Sequence, residues 1–195
     1  MKSKIFILII VIIATAVNLK AQDQGGRFSF EFSTGASFAT QELSGTNLNT
    51  GLGFEGIFHY RIYKHTGAYA GWGWKKFSSG ESFAGNNMDF EETGYLFGLQ
   101  FKHPLGFSNL SYYLRAGGLY NHIEVENTNG DIIDDTGHGL GWQLAGGVEL
   151  PIGGKWNLTG GLKFNSLSRE LDTEEISRNL DLNSLSLQAG VVRNF

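Results

Sequence analysis

The stretch LGWQLAGGVEL, Leu140 to Leu150, alternates between two kinds of side chain. Leu140, Trp142, Leu144, Val148 and Leu150 form one series, and Gly141, Gln143, Gly147 and Glu149 form the other. Successive side chains of a strand point to opposite faces, so a period of two predicts a strand with one apolar and one polar face. The polar series is unusual in being small and mostly uncharged. Which of the two faces meets water is therefore the question that decides the fold.

Seven further segments repeat the pattern. Phe28, Phe30 and Phe32 alternate with Ser29, Glu31 and Ser33. Leu52, Phe54, Phe58, Tyr60 and Ile62 oppose Gly53, Glu55, His59 and Arg61, while Ala68, Ala70, Trp72 and Trp74 oppose Gly71, Gly73 and Lys75. Tyr95, Phe97, Leu99 and Phe101 alternate with Gly94, Gly98, Gln100 and Lys102; Leu114, Ala116 and Tyr120 with Arg115, Gly117 and Asn121. Trp156, Leu158, Leu162 and Phe164 oppose Asn157, Thr159, Lys163 and Asn165, and Leu185, Leu187, Ala189, Val191 and Phe195 oppose Ser186, Gln188, Gly190 and Asn194. Ile57, Leu96 and Arg193 break phase. Long polar connections are expected at 40–50, 78–92, 124–136 and 168–181, and short ones at 63–66, 103–109 and 151–155. This rhythm predicts an all-β, eight-stranded antiparallel up-and-down transmembrane β-barrel, since an even strand count closes the sheet and leaves no edge in lipid.

Composition agrees. The chain has 195 residues, 28 Gly, 2 Pro and 13% aromatics, with 17% charged residues. Glycine at about twice its usual share of roughly 7% argues against helical bundles, and the aromatics argue against disorder. The absence of Cys excludes disulfides and thiol chemistry. A formal net charge of −4 offers no footprint for nucleic acid.

The N-terminus is a different kind of segment. Lys2 and Lys4 precede an apolar run from Ile5 to Ala14, and Ala21 offers a small residue for cleavage. That order predicts a signal peptide over residues 1–21, with the barrel domain spanning 22–195. The apolar run is too short for a helix that spans a bilayer, which needs about 20 residues.

A soluble, lipocalin-like ligand-binding barrel would turn its apolar face inward and its charges outward. Here the polar face is rich in Gly, Ser, Asn and Gln, which suits a tight interior better than a solvated exterior. The apolar face carries aromatics near both ends, as two interfacial girdles require. Phe28, Tyr60, Phe101, Trp156 and Phe195 belong to the short-turn rim, and Phe54, Trp74, Tyr95, Tyr120 and Phe164 to the other.

With its signal-like start, eight alternating segments and last strand LSLQAGVVRNF ending in Phe195, the chain resembles the small porin-like outer-membrane β-barrel proteins of Gram-negative bacteria. The resemblance implies a cell outer-membrane location, contact with outer-membrane lipid, and a structural or transport-related role. It also implies that Phe195 is the signal read by the barrel-insertion machinery. Arg193 departs from the lipid-facing pattern and needs to snorkel toward the rim.

The inward set holds Glu31, Glu55 and Glu149 against Arg61, Lys75, Lys102, Arg115 and Lys163. An eight-stranded barrel is just wide enough for side chains to fill, so these predict ion pairs that plug the lumen. Glu55 is expected to meet Lys75, and Glu149 to meet Lys163, on neighbouring strands. The run from Glu124 to His138 has oxygen ligands at a density that could hold Ca²⁺, but its spacing matches no EF-hand loop and reads as solvated surface. Ser78, Ser79 and Ser82 with His138, Asp134 and Asp135 are the only residues suggesting a lipid-modifying enzyme, and no nucleophile motif supports them. His59, His65, His103 and His122 are scattered. No catalytic, cofactor or metal residue is assigned, and the chain is read as a non-enzyme.

Deleting Phe195 is expected to reduce membrane insertion far more than replacing Phe38 at the opposite rim. Quantifying the folded, heat-modifiable band in membrane fractions tests this, and equal assembly of the two variants contradicts it.

Overall fold

A computed structural model describes residues 26–106, 108–172 and 177–195; the signal-peptide reading of residues 1–21 lies outside them. The strands are β1 (Phe28–Ala39), β2 (Gly51–Arg61), β3 (Thr66–Ser82), β4 (Gly85–Pro104), β5 (Ser111–Glu126), β6 (Ile132–Asp135), β7 (Gly139–Gly153), β8 (Trp156–Asp172) and β9 (Ser177–Asn194). Each strand of the ring pairs antiparallel with its neighbours: β1 joins β9, β4 joins β5, and β5 joins β7. Eight strands thus close on themselves, and β6 hangs on the far end of β5 outside the ring. Every ladder group within the ring has a neighbour, which lipid demands because it offers no hydrogen bonds.

The faces follow the period. Phe32, Phe58, Leu99, Leu114, Leu144 and Leu187 are exposed on the outside, while Glu31, Ser33, Glu55, Gln143 and Ser186 are buried inside. Ile57 and Leu96, which broke phase, point inward and pack with Tyr69 and Leu119. Outer aromatics associate across strands: Phe28 lies 4.9 Å from Tyr60, and Phe54 lies 5.5 Å from Trp74. Arg193 reaches the short-turn rim with its guanidinium over the rings of Trp156 and Phe195, 5.4 and 5.8 Å from their centroids. Inward glycines leave room for inward tyrosines. A Cβ at Gly117 would stand 2.5 Å from the Tyr69 hydroxyl, and one at Gly147 would stand 2.6 Å from that of Tyr113.

The long connections need correction. Segments 78–92 and 168–181 are mostly strand, with only Phe83 and Ala84 between β3 and β4. Segment 124–136 folds back as β6 against β5. Their polar composition conceals a second alternation of opposite sense. Above the upper girdle Lys76, Asp89, Glu91, Glu124 and Glu126 lie outside, whereas Phe77, Phe90, Ile123, Val125, Leu167, Leu171, Leu180 and Leu182 form a buried core inside. Beyond the membrane the exterior meets water, so the hydrophobic effect turns the apolar residues inward. Segment 40–50 does form a loop. Ser44 and Gly45, with φ of 50° and 80°, make its tight turn, and Leu43 inserts fully buried into the upper core.

This upper core behaves as that of a soluble protein. Phe90→Ala should cost about 3–5 kcal/mol, the range for emptying a packed phenylalanine site, while Phe32→Ala on the lipid face should cost much less. Denaturant titration in detergent micelles measures both, and equal losses would contradict the inverted core.

Candidate functional site

The lumen is built in layers. At the short-turn end the Lys102 ammonium lies 2.9 Å from Glu149 Oε1, which also accepts from Asn157 Nδ2. Above it Glu31, 2% exposed, takes both terminal nitrogens of Arg115 at 3.2 and 2.5 Å, a two-pronged arrangement. His59 Nε2 stands 3.1 Å from the same carboxylate. Arg115 Nε donates to Gln100 at 2.7 Å, and its guanidinium lies over the Tyr113 ring at 4.3 Å. Next comes a buried pair between Lys163 and Glu55. Uppermost, Glu92 accepts from Asn121 at 2.7 Å and Asn165 at 3.3 Å, and its other oxygen stands 2.7 Å from Lys75 Nζ.

These partners differ from those expected between neighbouring strands. Glu55 meets Lys163 across the barrel instead of Lys75, and Glu149 meets Lys102 instead of Lys163. Register explains the second case. Glu149 is opposite Thr159, four residues from Lys163, a separation of about 13 Å along the strand. Lys102, on β4 and separated from β7 only by β5, is closer than that. Glu92 is the acid missed by the sequence reading, hidden in an assumed loop although it continues the phase of Gly94 and Gln100. Arg61 is exposed at the short-turn mouth. Among the described residues, the lumen pairs Glu31, Glu55, Glu92 and Glu149 one to one with Arg115, Lys163, Lys75 and Lys102.

A second polar cluster lies outside the wall, above Tyr95 and Tyr120. Lys76 Nζ holds Asp89, Glu91 and Glu126 at 2.9, 3.1 and 2.8 Å. Burial works against its charge, but these three carboxylates raise its pKa above the ordinary lysine range. Trp74 Nε1 donates to Glu91 at 2.6 Å. Beside them His122 stands 2.8 Å from Asp135 through Nδ1 and stacks on His138, with ring centroids 4.1 Å apart. Partial burial pushes Glu124 upward, His122 pulls it down, and Asp135, Glu91 and Glu126 add to the rise. Asp135 is also raised by burial, yet its hydrogen bonds to His122 and the Gly137 N–H leave it below the usual carboxylate range.

The serines considered for nucleophilic chemistry are engaged elsewhere. Ser79 donates to the Glu81 carbonyl, Ser82 donates to that of Gly85, and Ser78 accepts from Asn49. His138 contacts Tyr95, Tyr120 and His122. His65 and His103 come together at the short-turn rim, 4.5 Å between centroids.

A closed antiparallel ring with an apolar, aromatic-girdled exterior and a polar, charge-paired lumen defines a transmembrane β-barrel. The chain belongs to the outer membrane protein beta-barrel domain family, whose sequence model matches residues 8–195. Its fold is similar to that of Neisserial surface protein A, with a TM-score of 0.66 at 16% identity, covering 89% of this chain and 100% of that one. OprG of Pseudomonas aeruginosa aligns with a TM-score of 0.62 at 10% identity, covering 88% and 97%. Ail of Yersinia pestis, solved in complex with the heparin analogue sucrose octasulfate, aligns with a TM-score of 0.55 at 14% identity, covering 88% and 100%. No curated protein sequence matches the chain.

Because Glu55 and Lys163 are both buried, removing one partner strands a charge. Glu55→Ala should destabilise the barrel by about 3–5 kcal/mol, whereas Glu55→Leu with Lys163→Met should come out near neutral. Unfolding in micelles checks the pair, and equal losses for both variants would contradict the pairing.

Proposed function

We propose that the protein is a porin-like outer-membrane barrel whose lumen is closed to bulk ion flow. Its role is structural, anchoring the strand extensions and loop 40–50 on the outer side of the membrane. The observation that carries this reading is the one-to-one match of four lumen acids with four bases, beneath an upper interior filled by Phe77, Phe90, Ile123, Leu167 and Leu182. The paired charges leave the lower lumen without a surplus of either sign. The interior above it, which Arg169, Ser79 and Thr46 share with the apolar core, is largely apolar and gives a passing ion little to replace its hydration.

Export by residues 1–21 and insertion at Phe195 deliver the chain to the outer membrane. Among the described residues Ser78, Ser79, Ser82 and His138 are engaged with partners other than a catalytic set, which favours a non-enzymatic role. Of the readings considered, a soluble ligand carrier is disfavoured by the exposed apolar exterior. A sulfated partner such as the one bound to Ail suits this outer rim poorly, because Asp89, Glu91, Glu124, Glu126 and Asp135 surround one lysine there.

Single-channel recording in a planar bilayer tests the closed lumen. The unmutated protein should give at most brief, small openings and should fractionate with the outer membrane. Large, steady conductance would overturn the closed lumen, and recovery in the soluble periplasmic fraction would overturn the location.

A further inference from the structure

The outer cluster holds more negative charge than its one ammonium can neutralise. Lys76 is committed to Asp89, Glu91 and Glu126, so the carboxylate group formed by Glu91, Glu124 and Glu126 already has its cation on two members. Glu124 and Asp135 remain, and what stands between them is an imidazole. One donor atom from each of His122, Glu124 and Asp135 lies within 4.8 Å of the other two.

The histidine supplies the second, independent observation. His122 is only 8% exposed, and its two nitrogens have different surroundings. Nδ1 lies 2.8 Å from Asp135 Oδ1, so its N–H donates to that carboxylate, and Nε2 is the nitrogen turned to Glu124. The nearest partner of Nε2 is Glu124 Oε1 at 3.8 Å, too far for a hydrogen bond. Nε2 and the Glu124 carboxylate thus face each other across a gap that no hydrogen bond closes. Ligands on one tetrahedral zinc, at about 2.0–2.2 Å from the metal, stand about 3.4 Å apart, close to this gap. A carboxylate on the far nitrogen is also the arrangement that orients metal-bound histidines and raises their basicity. The imidazole separates this site from an all-oxygen calcium or magnesium site.

We propose that His122 Nε2 and Glu124, with Asp135 orienting the ring, bind a divalent transition metal of the zinc class on the outer wall, with its other positions open to water. The site lies outside the barrel, so it is independent of whether the lumen conducts. His122 belongs to β5, and Asp135 ends β6. A bound metal would therefore sit on β5, just above the Tyr95 and Tyr120 girdle, and reach β6 only through the Asp135–His122 hydrogen bond. The sequence assigned no metal residue and read 124–138 as solvated surface; the proposed site departs from that reading.

The test is calorimetric titration of Zn²⁺ into the full mature barrel, without an affinity tag, in zwitterionic micelles. One ion per chain is expected. His122→Ala and Glu124→Gln should each weaken binding at least tenfold, while Glu126→Gln and His103→Ala should stay within twofold. Metal-free Glu124→Gln keeps the size and shape of a side chain on the outer wall and should melt with the unmutated protein; its loss of Zn²⁺ then cannot be misfolding. No saturable Zn²⁺ binding, full binding by His122→Ala, or Ca²⁺ binding as tightly as Zn²⁺ would each overturn the assignment.

Discussion

A peptide group in hydrocarbon has no water to bond, and each unsatisfied one costs several kcal/mol. The rest of this structure depends on that constraint. Closure of β1 onto β9 satisfies both edges at once, and closure with so few strands makes the lumen narrow. Narrowness in turn decides what the inward positions hold. Glycines face the tyrosines, and the Arg115–Glu31 and Lys163–Glu55 pairs span the barrel from one wall to another.

The lumen charges consequently act as internal struts. Buried ion pairs are weak as net stabilisers, but breaking one is costly because the orphaned charge remains in low dielectric. The layer around Glu31 illustrates this, since one carboxylate serves Arg115 and His59 together. Arg115 in turn is held by Gln100 and the Tyr113 ring. Four such layers lie beneath the upper core, with their cross-links running through the lumen.

Above the girdle the same strands continue into water and reverse their chemistry without changing register. A β-strand cannot rotate its faces midway, so the reversal lies wholly in which residues occupy each phase. Lys76 and Phe77 stand at this change on β3, and Glu91 and Phe90 stand at it on β4. The outside surface released from lipid then becomes available for polar groups, and the acidic cluster with His122 and His138 occupies it.

Much of this was legible in the sequence. The period of two, read with Gly and Gln on one face and aromatics near both ends of the other, determined the strands, their faces, the closed ring and the contact with lipid, because these depend on local alternation. The long polar segments misled, since Phe90, Val125, Leu171 and Leu180 lie among polar neighbours and their alternation runs opposite to that below. Tertiary structure alone decided the partners. Which base meets Glu55 depends on the lumen diameter, and whether His122 meets Asp135 depends on β6 folding back on β5. Distances of that kind are set by closure and pairing between residues far apart in the chain, and no periodicity along a single strand encodes them.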